Sequence, residues 1–359
     1  MLEWECVVVR QRVFYVLGGP LQADLEARKQ SGDQPLSEFN LFAKRNDARI
    51  VSTDEVQGGD PISLRRRLGL ARVITQRAAD YDLLVTSGED IGFPLTLASM
   101  LTKRPKPIWI ILHGSYLQGR KFAAIAPLLR RARHVHFLCL AESLRAMMIE
   151  RHGFPADRCH NAGYGIDTSF FTPGPPGHEP LIVSAGSANR DYQTLVSAAE
   201  GLGVPMRIAA DSLWRPKQSP LDPGALPDFV TIGSAGNYMD LRRLYQQASV
   251  VVVPMHPAQY ACGYAVIAEA MAMGRVVIAT RTAAPSDLLV HDKTGYYVEP
   301  GDVTGLRGKI RVLLDEPQRA LDMGALAAER MRKHFSLAAY CETIERTIGV
   351  HSVAPQVDL

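Results

Sequence analysis

The chain has 359 residues, of which 47% are hydrophobic and 21% are charged. This length exceeds what one hydrophobic core usually supports, so we expect two domains in an ordinary globular protein. No apolar run approaches the roughly 18–20 residues of a membrane-spanning helix, and the N-terminus lacks a signal-peptide pattern. The five cysteines are scattered, without a CxxC pair or a His-Cys cluster. They predict reduced thiols of a cytoplasmic protein, rather than disulfides or a metal site.

The net charge of +3 is unevenly distributed along the chain. Residues 1–170 hold 23 Lys/Arg and 18 Asp/Glu, a net +5, and the remainder holds 17 and 19, a net −2. A basic first half favours an anionic partner, either a phosphorylated acceptor or the inner face of a membrane. The excess is too small to indicate nucleic acid.

The first predicted strand, residues 12–19, ends in a Gly-Gly-Pro turn. Gly18 and Gly19 would let a ligand approach the backbone closely. The turn is not a dinucleotide fingerprint, because no G-x-G-x-x-G follows it. Residues 20–60 are the least readable part of the chain, and only a short strand at 48–52 is predicted there.

An Arg-rich helix is predicted at residues 64–79. Its apolar face would hold Leu68, Ala71, Ile74 and Ala78, which leaves Arg65, Arg66, Arg67 and Arg72 exposed. We interpret these arginines as a solvated basic face, and membrane docking is the alternative.

Strands and helices then alternate, which predicts a doubly wound parallel sheet. Strands are predicted at 82–86, 107–112 and 136–140, and helices at 94–101, 122–133 and 143–152. His113 and Gly114 follow the second of these strands directly. Carboxyl ends of strands are where such sheets carry their chemistry, so His113 is a candidate site residue. A structural histidine is the alternative.

Residues 172–180 hold four Pro and two Gly and predict an interdomain linker. After it the alternation restarts, with strands at 181–186, 206–210 and 229–232, helices at 192–201 and 241–248, and terminal helices at 301–314, 319–334 and 337–348. We therefore predict two Rossmann-like doubly wound domains facing a cleft, with hinge closure between them. The boundaries are 1–171 for the first domain, 181–334 for the second, and 335–359 for a C-terminal helix that crosses back to the first.

The stretch 249–280 predicts a strand in the Val run that Pro254 closes, a loop, a helix at 264–273 and a second strand at 276–280, with the two strands parallel. Gly263 precedes the helix, so the amides of Gly263, Tyr264 and Ala265 would point into the cleft and attract phosphate. Glu269 is the only ionisable residue of this apolar helix, and a buried carboxylate needs partners. It lies about 9 Å along the axis from the loop, near the span from a pyrophosphate to the sugar hydroxyls of one nucleotide. Pairing with Arg275 or a backbone amide is the alternative.

Several segments resemble one family. They are GYGIDTSFF at 163–171, GSANRDYQTL at 186–195, LRRLYQQASVVVVPM at 241–255, CGYAVIAEAMAMGRVVIAT at 262–280 and SDLLVHDKTGYYVEPGD at 286–302. The chain resembles the retaining, metal-independent glycosyltransferases of the two-Rossmann GT-B architecture. The resemblance implies a UDP- or GDP-sugar donor, a hydroxyl acceptor, and neither a metal nor another cofactor.

The same resemblance implies roles for individual residues in donor binding. Glu269 would hold the ribose hydroxyls, and the amides from Gly263 onward would hold phosphate. Arg190 would bind the diphosphate and stabilise the leaving group, and its alternative is an exposed pairing with Asp191. The remaining assignments are Gly186 and Ser187 as the turn beside Arg190, Asn237 and Tyr238 as loop residues near the base, His113 near the transferred sugar, and Gly18 and Gly19 near the diphosphate and acceptor.

Two positions depart from the family pattern. Ala261 stands where the family often has a first glutamate that touches the donor sugar, and Ser187 stands where an arginine is common. These departures leave two alternatives open: a non-transferring sugar-nucleotide enzyme, such as an epimerase or hydrolase, and a degenerate scaffold protein that binds a nucleotide sugar.

Overall fold

A computed structural model of the protein describes residues 11–21, 28, 31–117, 119–175, 177–210 and 226–350. It contains two six-stranded sheets in which every neighbouring pair of strands is parallel. The first sheet consists of β1 (Val13–Val16), β2 (Arg49–Val51), β3 (Leu83–Thr86), β4 (Ile108–Leu112), β5 (Val135–Cys139) and β6 (Cys159–Asn161). Its spatial order is β2-β1-β3-β4-β5-β6.

The second sheet has the order β12-β11-β10-β7-β8-β9. Its strands are β7 (Ile182–Ala185), β8 (Met206–Ala209), β9 (Val230–Gly233), β10 (Val250–Val253), β11 (Val277–Thr280) and β12 (Gly295–Val298). The predicted fold of two Rossmann-like, doubly wound halves is therefore confirmed. In each half the carboxyl ends of the parallel strands lie at one edge of the sheet, where ligands bind in such folds.

The strands form because their sequences are apolar at successive positions rather than at alternate ones. Every residue of β1, β3, β4, β7, β10, β11 and β12 is buried. Burial on both faces is typical of parallel sheets covered by helices on each side.

The helices that cover the sheets are α1 (Glu38–Asn46), α2 (Leu64–Gln76), α3 (Glu89–Ser99), α4 (Gly119–Arg131), α5 (Glu142–Ala146, continued by a π-helical turn at Met147–Arg151), α6 (Tyr192–Ala199), α7 (Tyr238–Gln247), α8 (Tyr264–Ala272), α9 (Val303–Asp315), α10 (Pro317–His334) and α11 (Leu337–Ile348). Short 3₁₀ turns lie at Thr53–Glu55 and Ala156–Arg158. None of the helices in the described ranges is long and apolar enough to cross a membrane.

The start of α3 differs from the sequence prediction, which placed it at Pro94. The helix begins at Glu89, and Pro94 lies inside it. Proline removes one backbone hydrogen bond there. The loss is offset by packing, because Ile91, Phe93 and Leu95 are all buried. This earlier start brings Glu89 and the following carboxylate, Asp90, to the carboxyl end of β3.

Several other elements differ from the sequence prediction. Helix α1 and strands β6 and β12 were not predicted, α4 begins at Gly119 rather than at 122, and α7 begins at Tyr238 rather than at 241. The earlier start of α7 has a local cause, because Asn237 and Asp240 form a capping box: the Asn237 side chain accepts from the Asp240 amide, and the Asp240 side chain accepts from the Asn237 amide.

The last helix, α11, packs on an element of the first half of the chain. The Arg45 guanidinium of α1 donates to both carboxylate oxygens of Glu345, at 2.8 and 2.9 Å, and Asn46 donates to the same carboxylate at 2.9 Å. The backbone amide of Leu337 donates to Ile166 at 3.0 Å. These contacts attach helix α11 to the first half, and the domain boundaries at 171, 180 and 334 stay predictions.

Candidate active site

Two adjoining cavities lie where the two halves of the chain meet. The smaller, of about 310 Å³, is lined mainly by the second half and includes Arg190, residues 260–266 and Glu269. The larger, of about 610 Å³, is lined mainly by the first half and includes residues 17–21 and 87–90. His113, Tyr260 and Ala261 line both cavities. A ligand in one cavity can therefore come into contact with a ligand in the other.

The N-terminus of α8 opens into the smaller cavity. Its first residue follows Gly263, which has a φ of 79° and provides no side-chain cap. A Cβ at Gly263 would lie 2.7 Å from the Met255 Sδ, so the tight turn requires glycine. The first amides of a helix have no partner within the helix. Tyr264 and Ala265 thus place backbone donors and the positive end of the helix dipole at this cavity.

Glu269 lies in the same cavity and is only 9% exposed. Its Oε2 accepts a hydrogen bond from the Tyr245 hydroxyl at 2.8 Å. Burial raises the pKa of the Glu269 carboxyl to about 7, against the opposing effects of the Tyr245 hydrogen bond and the Arg190 charge. No other described residue forms a hydrogen bond with this carboxylate. Its second oxygen is therefore available to a ligand that carries hydroxyl donors.

The predicted alternative for Glu269, pairing with Arg275, is wrong. The Arg275 guanidinium donates to the carbonyl oxygens of Gly174 and Pro175 in the predicted linker segment. Sequence proximity suggested the pair, but Arg275 follows the end of α8 and points to the linker. The actual partner, Tyr245, was not predicted. It lies on the buried face of α7 with Leu241 and Leu244, and this i, i+3, i+4 spacing was the available signal.

Arg190 is a buried cation held by carbonyl oxygens. It is 6% exposed, its Nε donates to Ala185 at 2.9 Å, and its Nη1 donates to Ala188 at 2.8 Å. Among the described residues no carboxylate lies within ion-pair distance of it. Gly186, with a φ of 91°, makes room for the guanidinium, because a Cβ there would lie 2.6 Å from Nη2. A buried guanidinium that is held by carbonyl oxygens and lines a cavity is a site for an anion.

The exposed pairing of Arg190 with Asp191 is also wrong. Asp191 caps α6 instead, accepting from the Thr194 amide at 3.1 Å and from the Thr194 hydroxyl at 2.7 Å. Arg190 is fixed on the other side by a β-bridge to Met255, beside the loop that leads to α8. The bridge holds the guanidinium and the helix N-terminus in one cavity.

His113 connects the two halves. Its ring Nε2 lies 3.0 Å from the Ser87 carbonyl oxygen, so this nitrogen carries the proton and Nδ1 is the acceptor in the neutral ring. Its backbone carbonyl accepts from the Ala261 amide at 3.0 Å. The side chain is exposed to both cavities rather than packed in the core, which disfavours a purely structural role.

The other predicted site residues divide between the two cavities. Ser187 and Tyr238 line the smaller cavity, and Gly18 and Gly19 line the larger one. Asn237 is not among the described residues that line either cavity, and its side chain caps α7. It ends the loop after β9 as predicted, whereas Tyr238 is the first residue of the helix, and the role of both residues near the base stays a prediction.

The larger cavity contains four charged residues that sequence reasoning missed: Glu38, Arg67, Glu89 and Asp90. The prediction of an exposed Arg67 is wrong. Its Nε donates to the Gly18 carbonyl at 2.8 Å, and its Nη2 pairs with Asp90 at 2.8 Å. Arg67 precedes Leu70, Ala71 and Ile74, the buried residues of α2, at i, i+3, i+4 and i+7, and this spacing could have identified it. Leu68, predicted to be buried, is 50% exposed.

Comparison with known proteins gives matches to glycosyltransferases. The sequence profile of the family described as Glycosyl transferases group 1 matches residues 206–316. A D-inositol 3-phosphate glycosyltransferase of Pseudarthrobacter chlorophenolicus is 23% identical over 235 residues, 57% of this chain and 55% of its own length. The chain thus spans about half the length of the curated relatives that it matches.

Two solved structures are similar over nearly the whole chain. The sucrose-phosphate synthase of Thermosynechococcus elongatus gives a TM-score of 0.71 at 17% identity, covering 94% of this chain and 98% of its own. The Anabaena protein HepE, in complex with UDP and glucose, gives 0.67 at 16% identity, covering 94% and 99%. The fold is therefore that of the GT-B glycosyltransferases. The match to the group 1 family model lies within the second half of the chain, at residues 206–316.

Proposed function

We propose that this protein is a retaining, metal-independent glycosyltransferase. It would transfer a hexose from a UDP- or GDP-sugar to a hydroxyl acceptor. The observation that carries this proposal is the smaller cavity, in which the Arg190 guanidinium, the Glu269 carboxylate and the N-terminus of α8 lie together. A nucleoside diphosphate has the matching groups, namely two phosphates and a ribose with two vicinal hydroxyls.

The diphosphate and the ribose of the donor would contact chemically different groups of the protein. The diphosphate would accept hydrogen bonds from the α8 amides and from Arg190, whose two carbonyl contacts leave Nη2 toward Gly186 and the cavity. The ribose hydroxyls would donate to Glu269, six residues past Gly263 and about 9 Å along the helix axis. HepE, solved with UDP-glucose, shows that a protein of this fold binds such a donor.

Charge stabilisation would drive the reaction. As the bond between the sugar C1 and the phosphate oxygen breaks, negative charge grows on the leaving diphosphate, where Arg190 and the helix amides already point. The acceptor oxygen forms its bond to C1 on the same face, and its proton passes to the departing phosphate oxygen. His113 would contact the transferred sugar through Nδ1, because its Nε2–H is engaged by Ser87.

One observation favours the alternatives of a non-transferring sugar-nucleotide enzyme or a binding scaffold. Ala261 lies at the junction of the cavities and offers only a methyl group to the donor sugar. Its backbone amide donates to the His113 carbonyl and holds the halves together. The sugar would therefore be held with fewer hydrogen bonds than where a carboxylate occupies this position.

Location is a further part of the proposal. We place the protein in the cytoplasm, with the Arg-rich helix α2 as a solvated basic face and docking of this helix to the inner face of a membrane as the alternative. Arg65 and Arg72 are exposed on that helix, together with Leu64 and Leu68, at 63% and 50% exposure.

Titration calorimetry and product analysis test the proposed activity. UDP and GDP are titrated first, and the nucleotide that binds selects the donor sugar. Transfer to a panel of sugars, cyclitols and lipid alcohols is then followed by mass spectrometry, and the anomer of the product is read by NMR. Retention of the donor configuration supports the proposal. Release of free sugar with every acceptor supports hydrolysis, and nucleotide binding without turnover supports the scaffold.

A further inference from the structure

The larger cavity is where an acceptor would lie, if the proposed donor site is correct. It shares His113, Tyr260 and Ala261 with the smaller cavity, so a hydroxyl group at this junction can reach the donor sugar. Its volume of about 610 Å³ is within the range of small-molecule sites. The charge of its walls therefore bears on the chemistry of the acceptor.

Arg67 is the one Lys or Arg among the described residues that line this cavity. Its guanidinium is already engaged, with Nε on the Gly18 carbonyl and Nη2 on the Asp90 carboxylate, both at 2.8 Å. The Asp90 side chain is also pressed against Gly18, since a Cβ there would lie 2.3 Å from Oδ2. A phosphate in this cavity would have to compete with Asp90 for Arg67, the one Lys or Arg among the described lining residues.

Three carboxylates line the same walls: Glu38, Glu89 and Asp90. Glu89 is 2% exposed and accepts hydrogen bonds from the His113 amide, the Ser115 hydroxyl and the Tyr116 amide, at 2.9, 3.1 and 3.4 Å. These donors are uncharged, and no described Lys or Arg forms an ion pair with Glu89. With Arg67 counted, the described walls have a formal charge of −2 when His113 is neutral.

The remaining described wall suits a sugar ring. Phe39, Tyr116 and Tyr260 place aromatic rings around the cavity, and Tyr116 is 49% exposed. Aromatic faces pack on the apolar C–H faces of a sugar, while carboxylates accept from its hydroxyl groups. The exposed arginines of the first half, Arg65 and Arg72, are not among the described lining residues.

We propose that the acceptor is an unphosphorylated sugar or cyclitol, and that an ammonium group on it strengthens binding. This inference rests on the proposed glycosyltransferase function and narrows its acceptor class. It reverses the expectation of a phosphorylated acceptor from the basic composition of the first half. The net charge of a domain describes its whole surface, whereas the acceptor meets only the walls of the cavity.

Acceptor binding to the protein saturated with UDP or GDP tests the inference. Glucose, glucosamine and glucose 6-phosphate share one ring and differ in charge. Their dissociation constants are measured by saturation-transfer NMR near pH 7. We expect glucosamine to bind at least as tightly as glucose, and glucose 6-phosphate at least tenfold more weakly than glucosamine. If glucose 6-phosphate binds as tightly as glucosamine, or more tightly, the inference is overturned, even when nucleotide binding supports the proposed function.

Two variants locate the effect in this cavity. Asp90→Asn frees Arg67 from its ion pair, and Glu38→Gln removes a second wall carboxylate without touching that pair. Each is expected to reduce the preference for glucosamine over glucose 6-phosphate at least fivefold. The matched control is Asp157→Asn, which removes one exposed carboxylate of the first half away from the cavity. Unchanged preference in both test variants, with nucleotide affinity intact, contradicts the inference. If the wild-type protein binds neither UDP nor GDP, that result contradicts the proposed function instead.

Discussion

Replacing Glu269 by Gln should stabilise the folded protein and weaken its binding of a nucleotide sugar. The wild-type carboxyl is buried, and its pKa rises from 4.5 to about 7. Each pKa unit corresponds to about 1.4 kcal/mol, so ionisation of Glu269 costs the fold up to about 3 kcal/mol. Gln keeps an acceptor for the Tyr245 hydroxyl and carries no charge. The variant should therefore be more stable wherever the wild-type carboxyl is ionised.

The sign of the pH dependence follows from proton linkage. Between pH 4.5 and about 7 the folded protein retains a proton on Glu269 that the unfolded chain releases. The free energy of unfolding of the wild type should thus fall as pH rises through this window, relative to that of Glu269→Gln. Below this window the two proteins should differ little, and above it the variant should be favoured by the full amount.

Ligand binding should change in the opposite direction. A ribose hydroxyl that donates to a carboxylate makes a charged hydrogen bond, and its loss should cost about 1.5–3 kcal/mol. Urea unfolding at pH 5 and pH 8, with calorimetry of UDP-glucose or the GDP-sugar, measures both effects on the same preparations. A folded variant with wild-type affinity would remove Glu269 from the site. The difference in free energy of unfolding between the wild type and the variant should change between pH 5 and pH 8. An unchanged difference would refute the electrostatic reasoning.

Three other changes test separate parts of the donor site. Arg190→Met should weaken nucleotide binding by about 10–100-fold, because a charged hydrogen bond contributes about 1.5–3 kcal/mol. Its control is Arg243→Met, which removes an exposed arginine of the same half and should leave nucleotide affinity unchanged. Equal losses of affinity in both variants would point to a general charge effect. Gly263→Ala should destabilise the fold by about 1–3 kcal/mol in thermal unfolding, since its φ is 79° and the new Cβ would meet Met255. Its control is Gly308→Ala, where nothing lies within 4 Å of a new Cβ, and a similar loss there would make strain at Gly263 the wrong explanation. Transfer activity should persist in EDTA, and loss that Mg²⁺ or Mn²⁺ restores would contradict the proposed role of Arg190.

The parts of the fold that the sequence predicted best were those with one dominant local signal. The valine run of β10 and the apolar stretch of α8 each allow only a buried element, and both were placed to within about one residue. The short loop between β10 and α8 predicted that β10 and the strand after α8 are parallel. It also predicted a ligand site at the carboxyl end of β10. Glu269 stood out because it is the only charge in an apolar helix. By contrast, its partner Tyr245 comes from another helix, and no local pattern links the two positions.

The larger cavity shows why the acceptor side was less predictable. Its charges lie on α1, α2 and α3 and come together only through the packing of these helices on the first sheet. Pro94 suggested a late start for α3, which hid Glu89 and Asp90 in a supposed loop. Arg66 and Arg67 were both read as exposed, although Arg66 is half-buried with its Nη1 on the Thr53 carbonyl, and Arg67 continues the buried spacing of α2. Long-range packing, rather than local propensity, decided these positions.

A crystal structure of the protein with a UDP- or GDP-sugar tests the central claim most directly. We predict that the ribose hydroxyls lie within about 3.2 Å of the Glu269 carboxylate, with the diphosphate on the amides of Tyr264 and Ala265 and on Arg190. The sugar should then point toward His113 and the larger cavity. A nucleotide bound elsewhere, or a diphosphate without contact to Arg190 and the α8 N-terminus, would contradict the account.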